Sequence, residues 1–405
     1  MKKYLALLLA LAMVFALAAC GGGDDTPATD APVSDAPASD VPATDAPVGA
    51  ASGTFKLGGI GPLTGGAAIY GMAAQRGAQI AVDEINASDS AVKFELQFED
   101  DVHDAETSVN AYNKLLDDGM QLLVGTVTTG PALSVSPLAM QDRVFMLTPS
   151  ASSADVIDGK DNVFQVCFTD PNQGTASADY MAENMASAKI AVIYKNDDAY
   201  STGIRDTFVA EAAAKGLEVV YEGTFTEDTQ TDFSVQVAGC QSAGADLIFL
   251  PMYYQPASVI MTQATAAGYK PTYFGVDGMD GILTMENFDT SLAEGVMLLT
   301  PFSADADDAL TQSFVSKYND LYGETPNQFA ADAYDCVYTI KTALETAGCT
   351  ADMSAADICD AVVAVMPTIS VDGLTGTGMT WDASGAVSKA PMAVVIENGV
   401  YVLPQ

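Results

Sequence analysis

The sequence predicts an α/β chain built as two doubly wound lobes, and three observations carry that prediction. Short apolar runs alternate with longer segments of helical period along residues 55–275, the pattern of parallel strands joined by crossover helices. The cycle runs from residue 55 to 147 and starts again at 189, so two sheets account for it better than one. About 350 residues remain once the low-complexity start is set aside, too many for one ordinary core and suited to two.

The elements follow in order. Residues 55–60 (FKLGGI) read as a strand entering a Gly/Pro turn, and residues 67–86 as a helix with Ala74, Ala78, Ala81 and Ile85 on one buried face. Val92, Phe94, Leu96 and Phe98 alternate with Lys93, Glu95 and Gln97, a half-buried strand. Residues 107–117 read as helix, 122–125 as strand, 131–142 as helix and 144–147 as strand. The second round places strands at 189–194, 217–222, 246–250 and 272–275, with helices at 203–215 and 256–268. The end differs in character. Residues 379–381, 393–397 and 400–403 read as strands, the last two turning at Asn398-Gly399.

Two segments precede the folded part. Residues 1–19 read as a processing signal: Lys2 and Lys3, an apolar stretch over 4–16, then Leu17-Ala18-Ala19-Cys20. The apolar stretch falls short of the roughly 20 residues a membrane span needs. Residues 20–52 repeat Asp-Ala-Pro or Asp-Val-Pro at a five-residue period, with no apolar side chain larger than Val. Such a segment cannot bury enough surface to offset its ordering entropy and reads as an extended tether.

Composition excludes several classes of function. The chain carries 53 Asp and Glu against 16 Lys and Arg, a formal net charge of −37, which argues against nucleic acid and anionic lipid surfaces as partners. His103 is the only histidine and sits in an acidic stretch, so a Ser-His or Cys-His catalytic pair is not expected. No Walker A lysine or G-x-S-x-G is present, and Gly59-x-Gly61 lacks the remaining dinucleotide-binding glycine. No spacing of cysteines suggests zinc, and Asp305, Asp307 and Asp308 lack the glycine and terminal Glu of a calcium loop. No cofactor or metal is expected, and no enzyme. The spacing of Cys349 and Cys359 allows a pair that closes a short loop but does not decide it; Cys167, Cys240 and Cys336 read as buried thiols.

The loops after the predicted strands carry the candidate chemistry, because open α/β sheets bind ligands at the carboxyl ends of their strands. Tyr70 follows the first strand; Thr128 and Thr129, then Ser150 and Ser152, follow two later ones. Tyr200, then Tyr253 and Tyr254, then Asp277 follow strands of the second round. Hydroxyls on one lobe facing aromatics and one acid on the other suit a zwitterion with an apolar tail. Neutral donors such as Thr129 and Ser152 meet its carboxylate, and Asp277 meets its ammonium. Tyr70, Tyr200, Tyr253 and Phe329 would wall the apolar part.

The run FKLGGIGPLTGGAAIYGMAAQRGAQIAVDEINA resembles the opening βα unit of the branched-chain amino-acid (Leu/Ile/Val-type) binding proteins of ABC importers. Collinear motifs extend the resemblance over about residues 54–403: V-G-T-V-T-T-G-P-A, L-T-P-S-A-S-S-A, N-D-D-A-Y-S-T-G, P-M-Y-Y-Q-P-A, F-G-V-D-G and P-N-Q-F-A-A-D-A-Y-D. The resemblance implies a type I periplasmic-binding-protein fold, two Rossmann-like lobes joined by three crossovers near Thr169, Thr300 and Gly376. Lobe 1 would then hold 53–169 plus 301–376, and lobe 2 would hold 170–300 plus 377–405. By the same resemblance Thr129 and Ser152 match ligand-carboxylate hydroxyls, Ser150 a backbone contact, Tyr200 and Tyr253 or Tyr254 the aromatics of the second lobe, Asp277 the acid facing the ammonium, and Phe329 the side-chain pocket. Leu17 to Cys20 resembles a lipobox, which would make Cys20 the lipidated first residue of the mature chain. The implied protein is a monomeric, membrane-anchored, extracytoplasmic binder of an apolar amino acid that delivers it to ABC permease subunits. A ligand sensor not coupled to transport is the alternative; no transmembrane or signalling segment follows the second lobe to support it.

Overall fold

A computed structural model describes residues 50–404. The expectations for residues 1–49, namely the signal segment, Cys20 and nearly all of the tether, lie outside the described residues. The tether was expected to reach residue 52, but its last residues already belong to the fold. Ala51 is buried, and Ser52 N–H donates to the Cys349 carbonyl at 3.2 Å.

The first lobe opens with β1 (Gly53–Gly61), α1 (Ala68–Ala87), β2 (Val92–Asp100), α2 (Ala105–Asp117), β3 (Leu122–Gly125), α3 (Thr129–Asp142), β4 (Phe145–Thr148) and β5 (Val163–Gln165). Its sheet is fully parallel in the order β2-β1-β3-β4-β5. The second lobe takes α4 (Asp170–Asn184), β6 (Lys189–Lys195), α5 (Ala199–Lys215), β7 (Glu218–Phe225), α6 (Ser234–Ala243), β8 (Leu247–Leu250), α7 (Tyr254–Ala266), β9 (Thr272–Gly275) and β10 (Met297–Thr300). The chain returns to the first lobe for α8 (Ala309–Tyr322), α9 (Gln328–Ala347) and α10 (Ala355–Val365), and ends on the second with β11 (Met392–Glu397) and β12 (Val400–Val402). The second sheet runs β12-β11-β10-β9-β8-β6-β7, with only the last two strands of the chain antiparallel. Asn398 and Gly399 both take positive φ, the backbone a two-residue hairpin turn requires.

Strand periodicity divides the cores. Ile190 and Val192 of β6 face Met181, Ile204 and Phe208 of α4 and α5, whereas Ala191 and Ile193 point to the opposite core, with Val237, Ile260 and Met261 of α6 and α7. In the first lobe Leu123 and Met146 face α2 and α3, while Leu122 and Leu147 join α1 and α9. Each sheet is thus covered on both faces, as parallel sheets require. Gly77 fixes one of these layers: a Cβ there would run into the Ala330 carbonyl, so α1 and α9 meet backbone to backbone.

Two expectations are corrected, and the open question of the Cys349–Cys359 pair is answered. The third crossing was placed at Gly376, giving 377–405 to the second lobe. Residues 381–385 instead stay on the first sheet: Gln165 N–H donates to the Gly385 carbonyl (3.0 Å), and the Trp381 indole donates to the Gln165 carbonyl (2.8 Å). The crossing therefore falls between Val387 and β11. Residues 379–381 form only isolated bridges, Val371 to Met379 and Trp381 to Val387, because each pairs at a single position. Cys349 and Cys359 are separate buried thiols; Cys349 follows the end of α9, and Cys359 faces Asn162 and Arg143 from α10.

Candidate functional site

Strand order reverses at β1/β3 in the first sheet and at β6/β8 in the second. Crevices open at such points beyond the strands' carboxyl ends, and the loops there carry the predicted residues. Tyr70 lies in the first turn of α1 and Thr129 begins α3; Ser150 and Ser152 follow β4. Tyr200 lies in the first turn of α5, Tyr253 immediately precedes α7, and Asp277 follows β9. The lobes are closed on one another, leaving Tyr70, Thr129, Ser152, Tyr200, Asp277 and Phe329 between 0 and 4% exposed.

The aromatic residues form one cluster. Tyr200 and Tyr253 stack at 4.8 Å and 8°. Tyr70 meets Tyr253 at 5.5 Å, Tyr254 at 5.0 Å and Phe329 at 4.3 Å. The two adjacent tyrosines separate in role: Tyr253 joins the stack, while the Tyr254 hydroxyl reaches across the cleft to donate to the Gly66 carbonyl at 2.7 Å. Tyr70 also bridges the lobes, donating to the Gly278 carbonyl (2.5 Å) and accepting from Tyr254 N–H (3.2 Å).

The hydroxyls divide into occupied and free. Thr128 is held by His103 Nδ1 at 2.8 Å, and the Ser150 hydroxyl donates to the Val127 carbonyl at 2.5 Å. Thr129 Oγ1 and Ser152 Oγ are buried with no hydrogen-bond partner. Unpartnered buried hydroxyls are uncommon and mark groups completed by something else.

Asp277 accepts from the Tyr200 hydroxyl (2.5 Å) and Gly278 N–H (2.7 Å), both at Oδ1. Burial raises its pKa from 3.8 to about 7, against the pull of Tyr200, Gln173 and Gly278 and with added repulsion from Asp332. No Lys or Arg pairs with it among the described residues. Two amides fix its loop. Gln173 Oε1 accepts Asp277 N–H at 3.2 Å, and Gln328 Nε2 donates to the Asp277 carbonyl at 3.0 Å. Sequence reasoning missed both, along with buried Asp170. The sequence held no signal for the three, since each lies in the first turn of a helix, where a polar residue is ordinary.

A cavity of about 480 Å³ lies at the cleft mouth between His103 and Pro131 on one side and Lys195, Asp198 and Glu227 on the other. Of the predicted residues, only Tyr253 lines it. Its charged groups are already engaged: Lys195 pairs with Glu227 at 2.5 Å, Asp198 accepts Tyr200 N–H, and Asp104 caps α2. The enclosed group between the lobes, with its bare hydroxyls, is the better candidate.

The profile described as periplasmic binding protein matches residues 54–399, most of the chain. The chain belongs to the periplasmic binding protein family. A Leu/Ile/Val-binding protein homolog of Brucella melitensis is 32% identical to this binding protein over 76% of the chain and 83% of its own length. Two solved structures share the fold. A leucine-binding protein of Thermotoga maritima is 26% identical, with a TM-score of 0.77 over 87% of this chain and 98% of its own. A branched-chain amino acid transporter substrate-binding protein of Streptococcus pneumoniae, in complex with isoleucine, is 27% identical, with a TM-score of 0.76 over 87% of this chain and 100% of its own.

Proposed function

We propose that this binding protein is the extracytoplasmic substrate-binding component of an ABC importer and captures an apolar, branched-chain-type amino acid between its lobes. The observation that carries the reading is the pair of unpartnered buried hydroxyls, Thr129 and Ser152, together with the buried, cation-free Asp277 and the tyrosine cluster. Hydroxyls and backbone N–H groups at the start of α3 suit a carboxylate, a lone acid suits an ammonium, and the rings suit an aliphatic chain. A ligand touching both lobes favours the closed state and shifts the population toward it. The permease then reads that closed form. The names of the Brucella, Thermotoga and Streptococcus relatives support the ligand class. Cys20, after Leu17-Ala18-Ala19, anchors the mature chain to the membrane surface by its acyl chains.

A thermal-shift screen across the amino acids, short amides and aromatic carboxylates tests this reading, since a ligand bound only by the folded state raises its melting temperature by mass action. Leucine, isoleucine or valine is expected to give the largest rise. A rise with amides or aromatic acids alone defeats the assignment. For the anchor, Cys20→Ala is expected to release the protein into the soluble fraction; retention on the membrane would contradict it.

A further inference from the structure

We propose that Asp280 is a proton-operated latch between the lobes, holding the closed form more firmly when its carboxyl is neutral than when it is ionised. The inference rests on the amino-acid reading of the site, although Asp280 itself is not placed on the ligand. Residues 277–281 follow β9 of the second lobe and sit in a socket made by two helix starts of the first. Tyr70 of α1 donates to the Gly278 carbonyl. Gln328, which begins α9, makes two bonds to the loop: its side-chain amide donates to the Asp277 carbonyl at 3.0 Å, and its backbone N–H donates to Asp280 Oδ2 at 2.8 Å. Ile69 closes the socket, since Gly281 takes φ +105° and a Cβ there would lie 2.6 Å from the Ile69 side chain. Parting the lobes undoes these contacts and returns Asp280 to water.

The link is one proton short. Asp280 is 5% exposed, and its Oδ1 has no hydrogen-bond partner; neither has Gln328 Oε1. A carboxylate only accepts, as does an amide oxygen, so two buried acceptors of the same interlobe pair lack a donor. Protonation of Asp280 supplies one. The titratable groups that face this loop are Tyr70 from α1, Tyr200 from α5, Tyr253 before α7, Asp332 from α9 and Tyr401 from β12, besides Asp277 on the loop itself. None is a cation. The Lys389 ammonium is already paired with Asp332 at 3.0 Å.

Burial pushes the Asp280 carboxyl up from 3.8 to about 6, against the pull of Gln328 N–H, the Tyr401 hydroxyl and Gly281 N–H and with added repulsion from Asp332. A group whose pKa is higher in the closed form takes up its proton on closing, so closure is favoured as the pH falls and opposed once the pH passes 6. With an ordinary pKa in the open form, the penalty that ionised Asp280 sets on closure grows about tenfold between pH 5 and pH 8.

The test is calorimetry with L-leucine on the wild-type protein and on Asp280→Asn, at pH 5 and pH 8, in two buffers of different ionisation enthalpy. Asn is isosteric, keeps an oxygen for Gln328 N–H and brings N–H donors where the carboxylate has none, so the variant is latched at both pH values. Comparing the two proteins at one pH cancels the titration of Asp277. The leucine affinity of the variant relative to wild type is expected to rise about tenfold from pH 5 to pH 8, and the variant to take up about one proton fewer than wild type on binding at pH 5. A relative affinity constant within about twofold, or equal proton uptake, overturns the latch. So does weaker leucine binding by the variant at pH 8, the result expected if Asp280 served only to attract the ammonium. A wild-type protein that binds no amino acid in the screen above overturns the amino-acid reading itself, and this inference with it.

Discussion

Replacing Asp277 with Asn separates stability from binding and puts a number on the burial of the acid. The Asn amide oxygen still accepts from Gly278 N–H and Tyr200, so the local geometry survives. The acid's pKa stands at about 7 in the folded protein against an ordinary 3.8. The folded, ligand-free protein therefore holds this proton more tightly than the unfolded chain does. The stability it contributes is fully present below pH 3.8 and is lost as the pH climbs through 7. At about 1.4 kcal/mol for each unit, ionising Asp277 costs the folded protein on the order of 4 kcal/mol at pH 8. Asp277→Asn escapes that cost. The variant should be the more stable protein at pH 8 by up to about 4 kcal/mol, the gap narrowing to roughly a third of that at pH 5. The same substitution should weaken binding of the captured amino acid by about 2–5 kcal/mol, because the ammonium loses its charged partner. Denaturant melts of both proteins at pH 5 and pH 8, with and without ligand, read both effects. A variant no more stable than wild type at pH 8, a gap that does not change with pH, or unchanged ligand affinity would refute the reasoning.

Other perturbations probe the frame around the site. Tyr70→Phe keeps the ring against Phe329 but strands the Gly278 carbonyl and Tyr254 N–H; the closed form should lose about 1–3 kcal/mol, seen as a larger radius of gyration in solution scattering and weaker ligand binding, and unchanged scattering would remove Tyr70 as a clamp. Gly77→Ala should lower stability by about 1–3 kcal/mol or more in denaturant melts by forcing α1 off the Ala330 carbonyl; an unaltered melt would mean the helices separate freely. Lys389→Met leaves Asp332, its partner at 3.0 Å, buried without a cation beside Asp335, and should cost about 3–5 kcal/mol; a neutral result in melts at pH 8 would show that the two acids are neutral without it.

The lobes were legible in the sequence because β1, β3, β4, β8 and β9 are short runs closed by Gly or Pro, and parallel strands buried on both faces leave little ambiguity. The end of the chain was less so. Residues 371–387 are tied to one another by two isolated bridges and to the edge of β5 by an indole and one backbone contact, and no period of side chains announces pairing of that kind. In the site, Tyr70, Thr129, Ser152, Tyr200 and Asp277 are brought together from loops far apart in the chain, as their positions after strands implied. Asp170, Gln173 and Gln328 were not legible. An acid or amide in the first turn of a helix reads as a cap or a solvated face, and only the closed lobes show that these three are buried. The hydroxyl of Tyr70 was read as part of a wall; the contact that makes it a clamp comes from Gly278, more than two hundred residues away.

The central claim is that one amino acid joins the hydroxyls of the first lobe to the acid of the second. A crystal structure of the protein with the amino acid that most raises its melting temperature tests it most directly. The ligand carboxylate is expected on Thr129 and Ser152, its ammonium on Asp277, and its side chain against Tyr70, Tyr200, Tyr253 and Phe329. A ligand seated instead in the mouth cavity beside His103 and Lys195, with Thr129 and Ser152 still bare, would contradict it.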